Sequence, residues 1–293
     1  MTRNRIVVGV DGSDGGRHAL AWAVGEAARR AATLEAVHVW SAPVAIAPLG
    51  AVALPGDDEA FEEAARATLD GLVADVADEA LAAGVTIEEV VVPGHATTVL
   101  LERAESADLL VVGSRGHGAF LGMLLGSIAH QCLHHATGPV AVVPLTAPVP
   151  ADGLVVVGVD GSEEGWAAAR WATEEAGIRK SRLLVVHGWW TPYAVPPVGL
   201  AIAPDDTLEF EEDARTMLAD MMDGIVEQAT CKPAEVVLEP VEEVAAKAII
   251  DRSEGAGMVV VGSRGRGGFK GLLLGSVSQQ VVHHAHCAVV VIR

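Results

Sequence analysis

Short runs of β-branched and aliphatic residues alternate along this chain with longer stretches in which apolar positions recur every three or four residues. Residues 6–10 are apolar without a break, the pattern of a parallel strand covered on both faces. Ser13 stands where a helix N-cap belongs and Asp14 puts acid in the first turn, while Leu20, Ala23, Val24 and Ala27 are spaced for one buried stripe. A second strand is predicted at 34–40, then a Pro/Gly/Ala-rich loop at 41–56 and an acidic helix from about residue 57. A third strand (86–92) and helix (97–104) follow. A fourth strand at 109–112 runs straight into a glycine-rich segment, and a helix at 128–136 feeds a last strand at 140–143.

The same order then repeats. Strands are predicted at 183–189, 234–238, 258–261 and 288–292, and helices at 245–251 and 277–285. Ser162 is the second N-cap and Glu163 and Glu164 its first-turn acids. IVVGVDGS at 6–13 returns as VVVGVDGS at 155–162, GSRG at 113–116 as 262–265, and LGS at 125–127 as 274–276. His38 and Trp40 return as His187 and Trp189, all by one offset of 149 positions. A repeat of that length is a domain, not a solenoid unit. The prediction is an α/β protein of two tandem doubly wound, Rossmann-like domains, 1–146 and 152–293, each with a five-stranded parallel sheet. The segment 144–153, with three prolines, links them.

Composition narrows the partners. With 293 residues, 51% of them hydrophobic and 20% charged, the chain is globular and not disordered. A net charge of −19 excludes nucleic acid and anionic membrane as partners. It leaves open a small phosphate ligand held by backbone N–H groups. Three scattered cysteines without a CxxC pair suggest reduced thiols and a cytoplasmic protein. The chain reaches Asp11 after only a short apolar run, so no leader is expected.

The chemistry concentrates in the glycine segments. Gly113 and Gly116, then nine residues, then Gly126-Ser127 are matched by Gly262, Gly265, nine residues and Gly275-Ser276. Glycine directly after a buried strand lets the backbone approach a ligand closely. Gly126-Ser127 sits where the last helix begins, so its free N–H groups and the helix dipole favour an anion. Such groups at the carboxyl ends of parallel strands form the ligand crevice of this class of sheet. The alternative is a tight turn with Ser127 as a simple N-cap. GxxxxGK[ST] is absent, and the first loop is not GxGxxG. Asp11 and Asp160, at strand ends, suit a ribose hydroxyl, an adenine amino group or a metal ion better than a bare phosphate, or else cap a local turn.

Together V-G-V-D-G-S, H-V-W or H-G-W, and G-x2-G-x9-G-S in both halves resemble the universal stress protein family, in a tandem form and in its ATP-binding branch. The resemblance implies that Asp11 and Asp160 face ribose and adenine, and that backbone near Val39 and Gly188 contacts adenine. Gly113, Gly116, Gly126, Ser127 and Ile128 would hold ribose and phosphates, as would Gly262, Gly265, Gly275, Ser276 and Val277. Gly9, Val10, Ser13, Ser114, Gly158, Val159, Ser162 and Ser263 complete the candidate set, and Arg115 and Arg264 would meet phosphate charge. The cofactor implied is ATP with Mg2+, up to two per chain. Pro93-Gly94-His95-Ala96 matches the family's small-residue turn, whereas Glu242 and Glu243 in the second half would crowd or repel a nucleotide.

No catalytic set stands out. His130 and His134 are four apart on one helical face, but His130 becomes Gln279 in the second half, so no metal site is expected. The last strand of each half is a sheet edge, a liability if unpaired, so pairing with each other or with another chain, and a homodimer, are expected. The leading function is an ATP-dependent regulator of stress response or growth acting on an unidentified protein partner. Slow ATP hydrolysis, self-phosphorylation at Ser127, or a nucleotide-free dimerisation module are the alternatives.

Overall fold

A computed structural model describes residues 4–42, 44–47, 50–53, 58–116, 125–149, 151, 153–189, 204–266 and 274–293. It divides into two compact units, Met1–Ala151 and Asp152–Arg293. The first contains β1 (Arg5–Val10), α1 (Asp14–Arg30), β2 (Thr33–Trp40), β3 (Val44–Ala47), β4 (Gly50–Ala53), α2 (Asp58–Ala82), β5 (Ile87–Pro93), α3 (Ala96–Ala104), β6 (Leu109–Gly113), α4 (Ser127–His135) and β7 (Val140–Val143). The second contains β8 (Val155–Gly158), α5 (Glu163–Ile178), β9 (Arg182–Trp189), α6 (Pro204–Gln228), β10 (Glu235–Glu242), α7 (Ala245–Arg252), β11 (Met258–Gly262), α8 (Ser276–His284) and β12 (Ala288–Ile292).

Within the first unit the strands run parallel in the order β5-β2-β1-β6-β7. Within the second the order is β10-β9-β8-β11-β12. In both, the chain builds outward from the first strand in one direction and then in the other. The point of reversal, between β1 and β6 or between β8 and β11, is where such sheets open a crevice at their carboxyl ends. Helices α1 and α2 pack together and on the sheet, and α3 and α4 do the same as a second pair. The sheet is therefore covered twice, which is why β6, β7, β8, β11 and β12 read as near-continuous apolar runs and are buried along their length.

The caps form as the residue types dictate. Ser13 Oγ accepts the Gly16 N–H at 3.1 Å and Ser162 Oγ the Gly165 N–H at 3.0 Å. The predicted stripe of Leu20, Ala23, Val24 and Ala27 is buried. Three expectations are corrected. Part of the 41–56 loop is an antiparallel hairpin, β3 paired with β4, while the rest of it and most of the matching loop at 190–204 lie outside the described residues. The strand predicted at 234–238 continues to Glu242, through Pro240. Proline ends a central strand, but β10 is the outermost strand of its unit's sheet and tolerates one missing donor. The last helices begin one residue early, at Ser127 and Ser276, with Gly126 and Gly275 as their caps.

The units differ in their buried charges. Glu35 on β2 is 1% exposed and takes Arg5 Nη1 at 2.8 Å and the Arg103 guanidinium; the second unit has Leu184 at that position. A second buried carboxylate is common to both: Glu26 in α1 accepts from Arg29 Nη1 at 3.0 Å, and its counterpart Glu175 in α5 accepts from Arg179 Nε at 2.5 Å. The three cysteines are free thiols, and burial pushes those of Cys132 and Cys287 up to about 12, which keeps them protonated and unreactive. Among the described residues no helix is long and apolar enough to cross a membrane.

Two glycine substitutions separate helix propensity from packing. Gly71 in α2 has open space around a would-be Cβ, so Gly71→Ala should stabilise the protein by about 1 kcal/mol in urea denaturation. Gly177 in α5 lies against the Cys231 backbone, so the same change there should reverse sign and destabilise by about 1–3 kcal/mol.

Candidate nucleotide-binding sites

Each unit carries a cavity at the carboxyl ends of its strands, about 360 Å³ in the first and 390 Å³ in the second. Both are in the range of small-molecule sites. The floor of the first is apolar: Val37 and Val39 of β2, Val112 of β6, and Ala96 and Leu100 from the start of α3. In the second the same layer is Val186 and Gly188 of β9, Val261 of β11, and Ala245 and Ile249 of α7. Gly9 and Gly158 let that layer close, because a Cβ at either would run into Leu100 or Ile249.

The polar wall is mostly main chain. Gly126 caps α4 without a side-chain hydrogen bond, and its own N–H is taken by the Ser114 carbonyl at 2.7 Å. The first i→i−4 bond of the helix runs from His130 N–H to Gly126 C=O at 3.0 Å. The N–H groups of Ser127, Ile128 and Ala129 therefore precede it, at the positive end of the helix dipole, and all three residues line the cavity. The second unit repeats this. Gly275 N–H donates to Ser263 C=O at 2.7 Å, Gln279 N–H to Gly275 C=O at 3.0 Å, and Ser276, Val277 and Ser278 line the cavity. There the Ser278 hydroxyl also donates to the Gly262 carbonyl at 2.6 Å, a brace that Ala129 cannot supply.

Opposite the helix end stands one carboxylate per site. Asp11 Oδ1 accepts the Ser13 N–H at 3.1 Å and hydroxyl at 2.5 Å. Asp160 Oδ1 accepts the same two groups of Ser162 at 3.0 and 2.5 Å, and its Oδ2 takes the Arg266 N–H at 2.7 Å. Burial pushes the Asp160 carboxyl up, but the Ser162 and Arg266 hydrogen bonds and the Arg266 charge outweigh it and hold the group below its ordinary range. His38 Nδ1 lies 3.0 Å from the Val10 carbonyl and His187 Nδ1 2.8 Å from that of Val159. A carbonyl only accepts, so each ring donates there and ties the ends of neighbouring strands.

The structure brings most of the expected residues to the two cavities: Gly9, Val10, Asp11, Val39, Gly113, Arg115, Gly116, Gly126, Ser127 and Ile128 line the first, and Gly158, Val159, Asp160, Gly188, Gly262, Arg264, Gly265, Gly275, Ser276 and Val277 the second. Four stand outside the lining. Ser13 and Ser162 cap helices and hold the aspartates. Ser114 and Ser263 are buried, their N–H groups bound to Val143 and Ile292 carbonyls, so they shape the bend and do not face a ligand. Glu242 and Glu243 do not crowd the second cavity, since neither lines it and Glu243 is paired with Lys247 at 2.5 Å. The nine-residue spacers of the motif fall largely at 117–124 and 267–273, outside the described residues.

Sequence reasoning placed Ala96 in the small-residue turn, and it missed Leu100, Ile249, Ala245 and Arg266. The apolar ones carry no chemical signature, and only the packing of α3 and α7 on the sheet brings them in. His130 and His134 stack with ring centroids 4.1 Å apart on α4, away from the lining, and among the described residues no group of three His, Cys, Asp or Glu side chains is placed to hold a metal.

A model of the universal stress protein family matches residues 2–144 and again 154–293. A universal stress protein of Mycolicibacterium smegmatis is 35% identical over 100% of this chain and 98% of its own. Universal stress protein Rv2623 of Mycobacterium tuberculosis is 34% identical over 98% and 96%. Among solved structures, a universal stress protein from Archaeoglobus fulgidus superposes with a TM-score of 0.69 at 20% identity, covering 100% of this chain and 99% of that one, which bears on the fold alone.

The depressed Asp160 carboxyl makes a signed prediction. Its ionised form is stabilised by folding, so its contribution is present above the ordinary carboxylate value of 3.8 and disappears as pH falls through the lower folded-state value. Asp160→Asn should be less stable than the native chain at pH 7, with the gap in denaturation midpoint closing as pH is lowered below about 4.

Proposed function

The chain belongs to the universal stress protein family, as two copies of its domain in tandem, and on that premise we propose that each unit binds ATP with Mg2+, and that occupancy is the signal it delivers in stress response or growth control. The supporting observation is the same in both units: a helix N-terminus without a side-chain cap opens beside two glycine bends and opposite a single carboxylate. The residues fit the ligand. Main-chain N–H groups of Ser127, Ile128 and Ala129, or of Ser276, Val277 and Ser278, supply phosphate donors that need no lysine. Asp11 and Asp160 offer an acceptor to ribose hydroxyls, and the apolar floor at Val37, Val39 and Leu100 suits a flat base. Bound Mg2+ would neutralise part of the phosphate charge.

A regulator is favoured over an enzyme for a chemical reason. Hydrolysis or self-phosphorylation requires a base beside the attacking oxygen. Among the described lining residues the only carboxylates are Asp11 and Asp160, each held by its own serine. A regulator instead requires different affinities in two states, so that occupancy shifts a population. A homodimer, and a protein partner that registers occupancy, belong to the same reading.

Saturating Mg·ATP, at 100 times its dissociation constant, should stabilise a unit by about 2.7 kcal/mol, a rise in melting temperature of roughly 5–10 °C. Gly126→Asp and Gly275→Asp, which set a carboxylate at each helix N-terminus, should each remove one of two nucleotides counted by native mass spectrometry. No melting shift and no bound nucleotide in the unmodified protein would overturn the proposal.

A further inference from the structure

The two sites look alike in their backbones, but one position in the first turn of the preceding helix is solved in opposite ways. In the first unit it is Gly15, pressed so tightly against the glycine bend that a Cβ would overlap the Arg115 carbonyl. In the second it is Glu164, whose backbone lies against Gly262. Its side chain is accommodated there and reaches the loop arginine, with Arg264 Nη2 to Glu164 Oε1 at 2.7 Å. Arg115, the counterpart of Arg264, is exposed and has no ion-pair partner among the described residues. Both arginines line their cavities.

The pair is placed to last. The Glu164 side chain is only 20% exposed and sits in the first turn of α5, where the dipole favours an anion. Arg264 is half exposed, within reach of whatever enters the cavity. Arg293, at the end of the chain, is near enough for the Arg264 charge to act on it, but does not line the cavity. The other lining cation, Arg266, has its N–H on Asp160 and its guanidinium over Gly161. A phosphate entering the second site must therefore compete with a carboxylate already seated on the loop arginine. In the first site it need not.

We infer that Glu164 is a specificity-determining residue that occupies Arg264 in place of ligand phosphate, so that the second site binds nucleoside triphosphate more weakly than the first while recognising the adenosine portion equally. This rests on the nucleotide-binding reading above. It assigns the two sites of one chain different preferences for phosphate charge, a difference confined to one side chain.

The test uses the full chain with the first site closed by Gly126→Asp, and isothermal titration with ATP, adenosine and inorganic tripolyphosphate. Glu164→Gln keeps the shape and removes the charge. It should tighten ATP and tripolyphosphate about five- to tenfold at the second site and change adenosine by less than twofold. In an Arg264→Gln background the gain should vanish, and circular dichroism confirms that each variant is folded. An unchanged ATP affinity in Glu164→Gln, an equal gain for adenosine, or a gain that persists without Arg264 would overturn the inference while leaving ATP binding at the first site intact. Absence of nucleotide from both sites of the unmodified chain would overturn the underlying reading and this inference together.

Discussion

Two backbones meet at the carboxyl end of each sheet at a distance that excludes a methyl group. The bend after β6 lies against the first turn of α1, so that a Cβ on Gly113 would meet the Gly15 carbonyl; the bend after β11 does the same with Glu164 through Gly262. Gly116 and Gly265 carry the constraint one step further, because a side chain there would displace the Asp11 or Asp160 carboxylate. With those atoms absent, the loop turns inward, the Ser114 or Ser263 carbonyl takes the N–H of Gly126 or Gly275, and the next helix begins with its N–H groups open to the cavity. Lining, electrostatics and the position of the carboxylate all follow from that approach.

Main-chain donors also give so acidic a chain a cavity wall with positive potential. A net charge of −19 spread over the surface is screened within about 8–10 Å at ordinary ionic strength. The field inside a cleft is set by the nearest dipoles, and here those are the first amides of α4 and α8. Such donors carry no charge that must be desolvated when the site is empty. The apolar floor completes the arrangement by lowering the local dielectric, which strengthens every polar contact made above it.

The duplicated halves show which features a repeat keeps together and which it releases. Parts that depend on backbone shape occur in both: the serine caps, the aspartate turns, the paired glycine bends and the histidine ties between strand ends. Parts that depend on a side chain alone diverge. Glu35 with its two arginines is replaced by Leu184 at the equivalent position, Ala129 by Ser278, and Gly15 by Glu164. A backbone feature needs several residues to change at once, whereas an ion pair needs one. Two sites of one architecture can thus differ in charge without differing in shape.

Much of this was legible from the chain itself, because local signals decide it. Apolar runs without alternation require a doubly covered parallel strand, serine before an acidic turn requires a helix start, and glycine straight after a buried strand requires close approach. The 149-residue offset extended each reading to the other half. What escaped depends on neighbours distant in sequence. The extension of β10 through Pro240 is permitted only because that strand is outermost, which composition cannot show. Leu100 and Ile249 reach the cavity floor because α3 and α7 pack across the first strands, some ninety residues from Gly9 and Gly158. Arg264 resembles Arg115 in every local respect, yet only the fold sets it against Glu164, a hundred residues earlier. The sequence by itself determined the elements, their duplication and the chemistry of the bends, since those rest on backbone conformation. Only the tertiary structure decided which side chains face one another across the site, since electrostatic pairing depends on distance in space.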